Sequence, residues 1–83
     1  DLKSAEDQIK RSDPLTIYPE LGKIFKKLDK IKIIDYGCGG GWLVNSISYH
    51  HRNKAQVTGV DFNLVVIEYA NEYKKKFNFN SKF

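Results

Sequence analysis

Two carboxylates and a cluster of glycines are the residues of this 83-residue chain whose types and spacing suit binding chemistry. Asp35 closes the apolar run Ile31-Lys32-Ile33-Ile34, and Asp61 closes a second short run, Ala55-Gln56-Val57-Thr58-Gly59-Val60. Gly37, Cys38, Gly39, Gly40 and Gly41 follow the first acid almost at once. Glycines there permit positive φ angles and let backbone N–H groups approach a ligand closely. A strand end, a glycine turn and a helix N-terminus together form the place where open α/β sheets bind ligands. An acid before the turn argues against phosphate, because Asp35 would face a pyrophosphate and repel it. A ligand with a cationic end suits it better, met directly or through water. An acid at the end of the second strand suits the two hydroxyls of a ribose.

The dinucleotide fingerprint, glycine-x-glycine-x-x-glycine with an acid about 20 positions later, is met only in part. Gly37 and Gly39 fill its first two places, but Trp42 stands at the third, where an indole would obstruct close helix–strand packing. Cys38 is the single cysteine, so neither an internal disulfide nor a cysteine-based metal site is expected. Its simpler reading is a compact side chain beside a tight turn, since no obvious base lies near it in sequence. His50 and His51 are adjacent and would point about 100° apart on a helix, which prevents joint chelation of one metal. Both read as surface residues near a helix end, and no metal site is expected.

The elements that must position the two acids are legible around them. Ile31, Ile33, Ile34 and Tyr36 predict a strand near 31–36, buried on both faces because β-branched residues dominate and no polar alternation is kept. A second strand is predicted near 55–61. Helices are predicted near 17–29, 42–51 and 63–77. In the first, Leu21, Ile24, Phe25 and Leu28 recur at helical spacing and Pro19 suits the first turn. In the second, Leu43, Val44 and Ile47 point inward. In the third, Asn63 is the N-cap and Val66, Ala70, Tyr73 and Phe77 with Ile67 form the stripe, closed by Lys74 to Lys76. Asp1 to Ser12 carries a thin stripe of Leu2, Ala5 and Ile9, a short peripheral helix, and Ser12-Asp13-Pro14 is a turn. Asn78 to Asn80 breaks the last helix, and Ser81-Lys82-Phe83 reads as the entrance to a third strand. The order suits a parallel β-α-β unit.

Length and composition bound the function. A chain of this size is at most one small domain, burying only about two thirds of its unfolded surface. No apolar run approaches the roughly 20 residues that span a bilayer and no leader is visible, so the chain reads as cytoplasmic. The net charge of +4 comes mainly from lysines on helices, better explained by solvated faces than by nucleic acid, which stays open. The chain contains no methionine and stops as an apolar segment opens, so it reads as part of a longer protein.

The run Asp35-Tyr36-Gly37-Cys38-Gly39-Gly40-Gly41 resembles the first motif of class I S-adenosylmethionine-dependent methyltransferases. Val57-Thr58-Gly59-Val60-Asp61-Phe62 resembles their second strand with its ribose-binding acid. S-adenosylmethionine offers an ammonium, a sulfonium and a ribose but no phosphate, as the two acids require. By the resemblance, Asp35, Gly37, Gly39 and Gly41 match positions beside the methionine end and Cys38 a backbone-contact position. Asp61 matches the ribose acid, and Phe62 the apolar residue beside the adenine.

What the resemblance implies is a Rossmann-like three-layer α-β-α fold, present in part. Residues 1–14 would be a peripheral segment and 15–83 the N-terminal half of a cofactor-binding domain. The expected function is the cofactor-binding part of a methyltransferase whose acceptor is a small molecule. The family's catalytic and acceptor-facing residues lie outside this sequence, so none is assigned. A non-catalytic module of the same fold, or more distantly an NAD- or FAD-binding unit, are the alternatives. Asp35 and Asp61 also have simpler readings, each as the cap of the helix that follows. Two strands alone leave exposed edges, from which self-association is expected.

Overall fold

The computed structural model describes residues 2–77 and 80–83. The chain runs α1 (Leu2–Arg11), α2 (Pro14–Ile17), α3 (Pro19–Lys27), β1 (Ile31–Tyr36), α4 (Trp42–His50), β2 (Ala55–Val60) and α5 (Leu64–Phe77). This is an α/β arrangement of helices on a parallel two-stranded sheet, paired in register from Ile31 with Ala55 to Tyr36 with Val60. Lys82 adds a parallel bridge to Thr58. Its N–H donates to the Val57 carbonyl at 2.9 Å and its carbonyl accepts from the Gly59 N–H at 2.8 Å, so the expected third-strand entrance lies on the other edge of β2. Residues 78 and 79 of the expected helix break lie outside the described residues.

The core forms on one face of this sheet. Ile31, Ala55 and Val57 pack against Val44 and Ile47 of α4 and Phe25 of α3, with Leu15, Leu21, Ile33, Leu43 and Phe83 around them. Burying each such side chain contributes about 1.5–3 kcal/mol. The expectation that β1 is buried on both faces fails here. Ile34 and Tyr36 are 57% and 78% exposed, and Val60 beside Tyr36 is open as well. Alternate residues of a strand point to opposite faces, and nothing among the described residues covers the side that carries these three. The β-branched run is therefore an apolar surface on that side, and the helices with their two-stranded parallel sheet are compatible with part of a Rossmann-like α/β fold.

The helix expected near 17–29 is α3, Pro19–Lys27, and a separate short helix, α2, precedes it. Pro19 has no N–H and restricts the residue before it, so Tyr18 sits off the helical region (φ −117°, ψ 89°) and Pro19 opens α3. Asp13 caps α2, its side chain accepting the Leu15 N–H at 3.0 Å, with Pro14 in the first turn. α3 ends at Lys27, so Leu28 becomes an extended cap residue, and Ile24 and Leu28 are exposed while Phe25 is buried.

The peripheral helix α1 lies against α4 with Ile9 buried. This docking corrects the surface reading of the two histidines. His50 Nε2 is 2.8 Å from the Ile9 carbonyl, and His51 Nε2 is 2.9 Å from Asp13 Oδ1. Both rings are partly buried because residues far away in sequence close over the end of α4. The same enclosure explains why α4 buries Asn45, Ser46 and Ser48 as well as Val44 and Ile47. Asn45 Oδ1 accepts the Ser81 hydroxyl, which fastens the last described segment to this helix.

Candidate functional site

The site is built where β1 and β2 end. Gly37, Gly39 and Gly41 adopt φ of 74°, 56° and 81°, left-handed backbone that L side chains rarely enter. Three glycines in one turn reverse the chain tightly enough for α4 to start at Trp42. Their surroundings differ. A β-carbon at Gly37 or Gly39 would meet nothing within 4 Å, so this surface of the turn is open to a ligand. A β-carbon at Gly41 would lie 2.6 Å from Phe83 Cζ and 3.1 Å from Ala70 Cβ. Gly41 is thus a packing position, buried beneath the chain's last ring.

The turn is tied to β2 by backbone and by one side chain. The Gly37 and Cys38 N–H groups both donate to the Val60 carbonyl, at 2.7 and 3.0 Å, and Gly41 N–H donates to the Cys38 carbonyl at 3.0 Å. Gly39 N–H donates to Asp61 Oδ2 at 2.9 Å, while Asp61 Oδ1 accepts the Asn63 N–H at 2.9 Å. These bonds from Asn63 and Gly39 hold the Asp61 carboxyl below the usual carboxylate range. The capping interpretation of Asp61 is therefore partly realised. Asn63 is the side-chain cap of α5, its Oδ1 accepting the Val65 N–H at 2.9 Å.

Asp35 is the penultimate residue of β1, half-buried on the face that carries the helices. Burial alone shifts it, and it raises the carboxyl above its ordinary value. No hydrogen bond or basic side chain lowers it, so the interpretation of Asp35 as a helix cap finds no bond among the described residues. Cys38 lies between the acids. Burial pushes its thiol up first, and Asp35 and Asp61 push it further, so it is a protonated, compact side chain. Phe62, the position matched to the adenine, extends wholly into solvent beside Asp61. The structure thus brings Asp35, Cys38, Gly37, Gly39 and Asp61 together on one rim, sets Gly41 inward and leaves Phe62 free.

Gly59 and Phe83 belong to this region although neither was singled out as a site residue. A β-carbon at Gly59 would lie 2.7 Å from Cys38 Sγ and 2.8 Å from Phe83 Cδ1, so the bare backbone of β2 is what lets the turn lie flat on the strand. A glycine inside a strand is the sequence signal for such close approach. Behind the turn, a cavity of about 350 Å³ opens between α1, α4 and α5, with Cys38, Gly40, Trp42, Tyr69 and Tyr73 in its wall. Tyr73 is pushed up to about 12 by its 2.6 Å hydrogen bond with Tyr69, which removes it as a neutral-pH base.

A family model described as a methyltransferase domain matches residues 27–83, from the end of α3 to the last residue. The chain belongs to the methyltransferase-domain family. A search of curated proteins found no match. The match covers both strands, the glycine turn and both acids of this methyltransferase domain, and it agrees with the class I resemblance of its two motifs. No helix among the described residues is long and apolar enough to cross a membrane.

Proposed function

We propose that this part of the methyltransferase domain binds S-adenosylmethionine across the rim formed by the ends of β1 and β2. The observation that carries this reading is a pair of carboxylates, Asp35 and Asp61, flanking an open positive-φ turn, with no basic side chain among the causes of either acid's shift. Two such acids favour a cationic ligand and disfavour a phosphate. When bound, this cofactor supplies a methyl group on a sulfonium, an already activated leaving group.

The chain's own contribution is binding and orientation. Asp35 would hold the ammonium, the backbone of Gly37 and Gly39 would lie against the methionine end, and Asp61 would accept the ribose hydroxyls. Phe62 would cover an adenine by turning inward. The methyl acceptor is proposed to be a small molecule. The open apolar face of the sheet is where the remaining helices of a three-layer arrangement would pack, and its edges are the proposed route of self-association.

Calorimetric titration tests the reading. S-adenosylmethionine should bind saturably and NAD should not, and Asp61→Ala should weaken the first by ten- to a hundredfold. Binding of NAD in preference, or indifference to the substitution, would refute the assignment.

A further inference from the structure

The Gly39 N–H has one acceptor among the described residues, the side chain of Asp61, and every other tie that holds the turn to β2 is backbone to backbone. Gly37 and Cys38 are held by the Val60 carbonyl, which no side-chain substitution removes. Gly39 is different. It is left-handed, open on its outer side, and anchored by a carboxylate 22 residues further along the chain.

An ionised carboxylate offers about four acceptor positions. Asp61 uses one on each oxygen, for Gly39 and for Asn63, and the Phe62 N–H adds a lesser third interaction, so acceptor capacity remains on the group. The group can accept a ribose hydroxyl without releasing the turn. We infer that Asp61 is also a positioning residue for the glycine turn: through the Gly39 amide it sets the backbone that receives the methionine end of the cofactor, a part of the ligand it does not touch. This rests on the cofactor assignment above. It makes the ribose end and the methionine end of the site one mechanical unit, in which ordering the carboxylate from one side orders the turn on the other.

Two measurements on the 83-residue chain test it. The first is amide hydrogen exchange without ligand. In Asp61→Ala the Gly39 amide should exchange about tenfold faster or more, while Gly37 and Cys38 remain protected, which separates a local release from unfolding. The second compares S-adenosylhomocysteine with its 2′,3′-dideoxy analogue, which lacks both hydroxyls. A residue that acted only on the ribose would leave the analogue's affinity unchanged on substitution. A positioning residue should still cost the analogue about tenfold, and the parent compound more. If Asp61→Ala does not fold, Asp61→Asn, which keeps one acceptor, should show a smaller loss of the same kind for the analogue. Unchanged Gly39 exchange, or a dideoxy analogue indifferent to the substitution, overturns the positioning role alone. A wild-type chain that binds neither compound overturns the cofactor assignment and this role with it.

Discussion

Replacing Gly41 by alanine should destabilise the chain far more than the same change at Gly37, although both glycines are left-handed. Forcing an L side chain into that conformation costs about 1–2 kcal/mol and applies to both. At Gly37 that is the whole cost, because the new methyl meets nothing within 4 Å. At Gly41 the methyl would lie 2.6 and 2.7 Å from the tip of the Phe83 ring and 3.1 Å from Ala70 Cβ. The ring can swing, but only by leaving its packing over Gly41 and Gly59, and overpacking of this kind adds about 1–3 kcal/mol. Gly41→Ala should therefore cost about 2–5 kcal/mol, against about 1–2 kcal/mol for Gly37→Ala. Urea unfolding measures both, with the midpoint falling and the slope unchanged. Phe83→Ala supplies the internal control. In its background the ring's share of the clash vanishes, so the two substitutions should combine to less than their sum, leaving only the tight contact with Ala70. Equal losses at Gly37 and Gly41, or strict additivity with Phe83→Ala, would refute the packing role assigned to Gly41.

Asp35→Asn should abolish binding of the cationic cofactor while raising the thermal midpoint slightly, because burial disfavours the ionised carboxyl; a lowered midpoint would contradict this. The sign follows from a folded-state value above the ordinary 3.8: the destabilisation sets in as pH rises past 3.8, so the wild type and Asp35→Asn should differ least in acid. Asp13 behaves oppositely. Burial alone would raise it, but the Leu15 N–H and His51 outweigh burial and lower it, so its contribution is present above 3.8 and disappears as pH falls through its lower folded-state value. Asp13→Ala should cost about 1 kcal/mol at neutral pH, read by urea unfolding, and nothing in strong acid. Ile47→Ala should cost about 2–5 kcal/mol, whereas Ile34→Ala, on the open face, should stay within about 0.5 kcal/mol, measured by the same unfolding midpoint.

The strands, α4 and α5 could be read from the chain because local chemistry dictates them. β-branched runs ended by an acid give β1 and β2, and Asn63 with the stripe of Val66, Ala70 and Tyr73 gives α5, whose buried residues are Ala70 and Tyr73. Bounds moved only slightly, β2 stopping at Val60 where it had been expected to include Asp61. What could not be read depends on partners distant in sequence. The burial of Ile34 depends on a layer that covers it, and apolar composition alone cannot say whether one does. His50 and His51 are joined to α1 and α2 across about forty positions, a docking no local pattern announces. The separation of glycine roles belongs to the same class. Spacing groups Gly37, Gly39 and Gly41, and only the positions of Phe83 and Ala70 distinguish the open pair from the buried one.

That ring also sets when the rim can take shape during synthesis. Every group assigned to the cofactor lies between Asp35 and Phe62, yet Gly41 and Gly59 close against Phe83, and Asn45 against Ser81. A ribosome adding roughly 5–20 residues per second reaches Phe83 a few seconds after Asp61. During that interval the turn has its glycines and its carboxylate but not the ring that seats them, so the packed rim should form only once Phe83 has been added, later than the motif itself.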